Sequence, residues 1–147
     1  MTIKKKFVHP ASAKDKHYEG VLNEIAEEKV CPLCPKTMHW HTKQILKRRN
    51  GWLITENFNA YNNTAHHLLI VSPTHKEKLG ELTRRDWQSL IHLLNWAVKK
   101  FSIKGGGVAI RFGDTRWTGA TVAHLHAHLI VPKITRGKVK PVSFIIG

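Results

Sequence analysis

The chain has 147 residues, 41% apolar and 23% charged, which is enough for one hydrophobic core and too short for two ordinary domains. No apolar run reaches the roughly 18 residues of a membrane-spanning helix and no signal-peptide core follows Met1, so the expectation is a soluble, cytoplasmic protein with no membrane partner. The net charge is +14 and no acidic residue stands from Thr115 to Gly147, a balance that favours an anionic partner, either a phosphate-bearing small molecule or a nucleic acid.

Residues 1–18 carry Lys4, Lys5, Lys6, Lys14 and Lys16 and few core-forming side chains. They predict a loosely ordered basic arm, solvated or bound to nucleic acid, in front of one domain over 19–147. Val21, Leu22, Ile25 and Ala26 then recur at helical spacing, predicting a short helix over 19–29. It ends at Cys31-x-x-Cys34, the only cysteines in the chain. That spacing suits half a zinc site better than a redox pair, because Pro35 and the residues after it open no convincing helix. Asn50-Gly51 supplies the positive φ angles of a type I′ turn, so the segments 44–49 and 52–58 should form a hairpin. A polar loop over 59–66 leads to an apolar strand, 67–71, closed by Ser72-Pro73.

Thr83 and Asp86 form a variant of the capping box at the start of the longest helix. Its apolar stripe reads Trp87, Leu90, Ile91, Leu94, Val98 and Phe101, with His92 off the stripe and on the surface. Glycines 105–107 stop that helix, and without a downstream Gly-Lys-Ser/Thr they do not make a phosphate-binding P-loop. A strand over 108–112 and a loop over 113–121 follow. The short connections favour an antiparallel α+β arrangement over a parallel doubly wound sheet.

In the last strand His124, His126 and His128 alternate with Leu125, Ala127 and Leu129. Period-two alternation puts the imidazoles on one face and the apolar residues on the other. Neighbouring imidazoles then stand ~6.6 Å apart along the chain, close enough to share one phosphate or one metal ion.

This motif, His-x-His-x-His followed by apolar residues, resembles the signature of the histidine triad (HIT) nucleotide hydrolases and transferases. Cys31 to Cys34, 52–58, 67–75 and 118–122 also follow the order of that family, so the likeness spans roughly 20–132. The resemblance implies a single-domain α+β fold with a five-stranded antiparallel sheet and two helices, commonly a homodimer. The implied reaction is cleavage of a nucleotide at its α-phosphorus, with His126 as nucleophile through a nucleotidyl-histidine intermediate. His128 would contact the α-phosphate, and Thr121 and the backbone of the Gly119 loop would bind phosphate.

In the zinc-bearing branch, the resemblance completes Cys31 and Cys34 with His75 and His124, a closed and therefore structural set. A local set of Cys31, Cys34, His39 and His41, or bare thiols, are the alternatives. The nucleoside would meet Asn59, where much of the family has a carboxylate, and Phe58, which packs on a base or on the core. His67 faces the site or is a buried structural residue. Arg111 and Arg116, which depart from the family's pattern, would bind distal phosphates of a dinucleoside polyphosphate or a nucleic-acid end, or are surface charge. Trp117 stacks on a base or covers a core edge. Three functions follow: nucleotide hydrolysis or transfer, nucleotide removal from a nucleic-acid end, and a non-catalytic basic zinc module binding RNA or DNA.

Overall fold

A computed structural model of the chain describes residues 6–147. Helix α1 (Lys16–Glu28) starts three residues ahead of its expected position, because Asp15 caps it by accepting from the Tyr18 amide at 2.8 Å. Lys29, in the left-handed region at φ 56°, ends it. Strands β1 (Ile45–Arg49) and β2 (Trp52–Glu56) form the expected hairpin. Both turn residues have positive φ, 48° at Asn50 and 83° at Gly51, and a Cβ on Gly51 would lie 2.9 Å from Cβ of Pro73. Strand β3 (Thr64–Val71) starts earlier than hydropathy alone indicates. Its polar first residues, Thr64 and His66, pair with Pro132 and Val131 through a bulge. Helix α2 (Arg84–Lys100) carries the Thr83–Asp86 capping box, strand β4 is Gly107–Ile110, α3 is the short turn Thr115–Thr118, and β5 is His126–Pro132. A small hairpin, β6 (Ile134–Thr135) and β7 (Lys138–Val139), follows.

The main sheet is antiparallel and five-stranded, in the order β1-β2-β3-β5-β4. One face packs on α1, where Leu22 and Ile25 meet Leu53, Leu69 and Val71. The other packs on α2, where Leu90, Leu93 and Ala97 meet Ile54, Leu68, Ile70, Ala127 and Leu129. Leu69 is opposite His128 and Val71 is opposite His126, so both histidines belong to the α1 face while Ala127 and Leu129 enter the α2 core. The expected single α+β domain is therefore observed, and the alternation around the triad has its predicted consequence. No helix among the described residues is long and apolar enough to cross a membrane.

Two expectations are corrected. The buried face of α2 is Ser89, Leu90, Leu93 and Ala97, while Ile91 is 54% exposed and Trp87 and Val98 are also open. Ser89 turns inward because its hydroxyl donates to the Arg85 carbonyl and accepts from Asn50 Nδ2, both at 2.8 Å, so its polarity costs little. The expected arm is also not free where it is described. Val8 is 4% exposed and bridges Val122, the Ala123 amide donates to the Phe7 carbonyl, and the His9 amide donates to the Thr121 carbonyl, each at 2.8 Å. Residues 1–5 of that arm lie outside the described residues.

Asp86 ties α2 to the sheet by accepting from Trp52 Nε1 at 2.9 Å, Lys76 Nζ at 2.7 Å and the Thr83 amide at 2.8 Å. Burial by itself raises its pKa, but these donors outweigh it and hold the carboxyl well below the usual carboxylate range. Asp86→Ala removes the acceptor from these donors and from the Thr83 hydroxyl, 2.9 Å away, and should lower the thermal unfolding midpoint by about 5–8 °C, a loss of about 2 kcal/mol. Because the folded pKa is depressed, this contribution is complete above the unfolded value of about 3.9 and fades as pH falls below it. The difference between wild type and variant should therefore narrow in melts below pH ~4.

Candidate active site and metal centre

Hydrogen bonding fixes the tautomer of each imidazole. His126 Nδ1 lies 2.7 Å from the His124 carbonyl, which can only accept, so Nδ1 carries the proton and Nε2 keeps the lone pair. The Tyr61 amide donates to His67 Nδ1 at 3.0 Å, so the proton of neutral His67 is on Nε2. That atom is 2.9 Å from His128 Nδ1 and donates to it, leaving His128 with Nε2–H. Burial, then the nearby Lys14, His126 and Arg111, pushes His67 down to about 4. Burial followed by His126 and His67 lowers His128 as well. Burial lowers His126, opposed in part by its bond to the His124 carbonyl. The site thus presents one unprotonated ring nitrogen beside one N–H donor.

Both histidines line a cavity of about 580 Å³. Thr121, Gly119, Asn59, Phe58 and Arg111 line it too, so these expected residues converge on one place. Val21, Leu22, Ile25, Leu33 and Trp40 make its apolar wall. Thr121 Oγ1 is 3.1 Å from the Tyr18 hydroxyl, and Phe58 meets the Tyr18 ring edge-on at 5.6 Å. Gly119 has φ 65°, and a Cβ there would sit 2.6 Å from the Gly147 carbonyl oxygen, so glycine is needed for both its conformation and the close approach.

Arg116 does not join this group. Its guanidinium grips Asp114 two residues away, its side chain is 81% exposed, and it is absent from the cavity wall. Trp117 is 78% exposed and covers no core edge. His67 is buried and is also the partner of His128, so its two anticipated roles coincide.

Sequence reasoning missed Tyr61, Lys14 and the segment around Phe144. The Tyr61 ring lies 4.3 Å from that of His67 and stacks at 5.9 Å on His128. Phe144 meets His128 edge-on at 5.2 Å. A lone aromatic among the asparagines of the 59–63 loop was a usable signal for Tyr61; nothing local marks Lys14 or Phe144.

Beside the start of β5, Cys31, Cys34, His75 and His124 bring one ligand atom each within 4.8 Å of one another. Cys31 Sγ is 3.3 Å and Cys34 Sγ 3.6 Å from His124 Nδ1, and Cys34 Sγ is 3.7 Å from His75 Nδ1. Tetrahedral zinc with two thiolates and two imidazoles requires ligand separations of about 3.3–3.8 Å, and these three cysteine–histidine separations lie in that range. The outer nitrogens agree: His124 Nε2 is 2.9 Å from the Ser72 carbonyl and His75 Nε2 is 2.8 Å from Glu77 Oε1. Each bond keeps the proton on Nε2 and frees Nδ1 for a metal. The local alternative does not form, since His41 Nε2 bonds Thr55 Oγ1 at 2.7 Å and His39 lies on Trp40 with ring centroids 3.8 Å apart.

No protein-family model matches the sequence, and no curated protein matches it. Solved structures do. The histidine triad nucleotide-binding protein from Candida albicans superposes with TM-score 0.60 at 17% identity, covering 80% of this chain and 85% of that one. A Zn-bound histidine triad family protein from Mycobacterium smegmatis gives TM-score 0.55 at 18% identity, covering 75% and 79%. A HIT family hydrolase from Clostridium thermocellum gives 0.52 at 22% identity, covering 74% and 94%. With five antiparallel strands, two main helices and the triad on the face toward α1, the chain has the fold of the histidine triad proteins.

Proposed function

We propose that this chain is a nucleotide hydrolase or nucleotidyltransferase of the histidine triad kind, cleaving a phosphoanhydride or phosphoramidate at its α-phosphorus. The observation that carries this reading is the pair of fixed tautomers, an Nε2 lone pair on His126 beside an Nε2–H on His128, at a cavity large enough for a nucleotide. In the first step His126 Nε2 bonds to the α-phosphorus, and the bond to the leaving group breaks with its electron pair. The His128 Nε2–H donates to phosphate oxygen as charge builds there. Water or another acceptor then attacks the nucleotidyl-histidine and restores the imidazole. Thr121 and the Gly119 backbone would hold phosphate oxygens, Asn59 the ribose hydroxyls, and the apolar wall with Phe58 the base.

Zinc, held by Cys31, Cys34, His75 and His124, would fix the start of β5 and so the position of His126. Its ligand set is closed, which makes it structural.

The test is nucleotide release from a dinucleoside polyphosphate and from an adenosine phosphoramidate. The reading requires turnover of at least one, and release from neither contradicts it.

A homodimer belongs to the same proposal, supported by the open apolar Trp87, Ile91 and Val98 on α2 and Val108 on the edge strand β4. Sedimentation equilibrium should give twice the chain mass for wild type and a single chain for Ile91→Glu. A monomeric wild type would refute this part.

A further inference from the structure

The proposed chemistry gives Lys14 no task, and it leaves Arg111 with no more than the contact to distal phosphate expected from the sequence. Lys14, which sequence alone assigns to a free arm, is fixed between the Pro10–Ser12 turn and the Asp15 cap of α1. Its Nζ lies over the Tyr61 ring, 2.7 Å from the centroid. Arg111 reaches the same residue from β4's far end, with Nη1 3.3 Å from the Tyr61 hydroxyl. It is held there by Phe144, whose ring centroid is 3.8 Å from Cζ, and by the Ile145 carbonyl, which accepts from Nε at 3.0 Å. Two positive charges of different origin therefore converge on one tyrosine at the wall of the cavity that holds His126 and His128.

Neither ion-pairs with a carboxylate within 4.0 Å among the described residues. Arg111 is partly buried, and Lys14 stays open to solvent apart from the ammonium it packs on Tyr61. Burial and then the neighbouring Arg111 push the Lys14 ammonium down to about 8, with Asp15 pulling the other way. Adjacent cations repel each other, and an anion between them reverses the sign of the interaction. Their field also reaches His67 and His128, the pair that ends in the N–H donor.

We propose that Lys14 and Arg111 together bind the leaving group, and that they select nucleotides whose leaving group itself carries phosphate over those that release an amine. The inference rests on the reading that His126 attacks the α-phosphorus. An amine leaving group offers these cations no negative charge, whereas a departing phosphate or polyphosphate gains a charge-assisted contact as the bridging bond breaks.

The experiment compares a dinucleoside tetraphosphate with an adenosine phosphoramidate on wild type, Lys14→Met and Lys14→Arg, with inorganic tripolyphosphate binding measured by calorimetry. The ratio of the two kcat/KM values should fall about tenfold or more in Lys14→Met and return in Lys14→Arg. Tripolyphosphate affinity should weaken by a similar factor in Lys14→Met. A ratio that stays constant while both substrates slow together overturns the selection, as does tripolyphosphate binding equally well to wild type and Lys14→Met. If wild type turns over neither substrate, the catalytic reading fails by itself and the calorimetry still decides the cationic subsite. A 5′-adenylylated oligonucleotide as a third substrate distinguishes a nucleic-acid end from free polyphosphate as the source of that charge.

Discussion

His126→Ala should lower nucleotide release by about ten-thousand-fold or more, and it should do so without unfolding the protein. The imidazole opens onto the cavity and supplies the bond that divides one displacement into two; alanine has nothing to replace it. Among the described residues the side chain's one hydrogen bond is to the His124 carbonyl, so its loss orphans a single acceptor there. The unfolding midpoint should move by no more than about 3 °C. His128→Ala should cost less, about 10²–10⁴-fold, because it removes a positioned proton donor and leaves the nucleophile. Steady-state rates on the better substrate, read beside thermal melts, check both. A His126→Ala enzyme that retained wild-type turnover would place the chemistry elsewhere.

The second large effect concerns the metal centre. Zinc at about one equivalent per chain should be found in the purified protein, and stripping it or substituting Cys31→Ser should lower the unfolding midpoint by about 15 °C, a loss of about 5 kcal/mol. The argument is topological. Cys31 and Cys34 follow α1, His75 follows β3, and His124 leads into β5, so one ion crosslinks three distant segments. With protein groups alone, burial pushes the Cys31 thiol up to about 12; a divalent cation is what ionises a thiol in such a place. His39→Ala, an exposed side chain whose contacts among the described residues are the partly buried Trp40 ring and Glu28, should change neither zinc content nor melting. A metal-free protein that melts like Cys31→Ser would establish bare thiols instead.

How much of this was legible in the sequence depends on how local each cause was. The Asn50-Gly51 turn, the Thr83–Asp86 cap and the alternation from Leu125 to Leu129 are written in neighbouring residues, and each appears as expected. The buried face of α2 was misjudged because helical period gives a stripe's width but not its rotation. Trp87 and Ile91 are apolar enough to join it, yet Ser89 takes the inner position by satisfying its hydroxyl. Residues 7–18 looked like a tail because their partners, Thr121 to Ala123, lie more than a hundred positions away. A similar sequence separation hid Lys14 from Arg111. Arg116 was drawn to phosphate on charge alone, and Asp114 claims it first. For the zinc ligands the sequence offered a near pair of histidines and a far pair, and the fold assembles the far pair.

The central claim, covalent catalysis on one histidine of the triad, is tested most directly by quenching the protein during turnover of an α-phosphate-labelled nucleotide and mapping the label by peptide mass spectrometry. The account predicts a nucleotidyl adduct on His126, absent from His126→Ala. An adduct on another residue, or product formed with no adduct under conditions that preserve phosphohistidine, would contradict it.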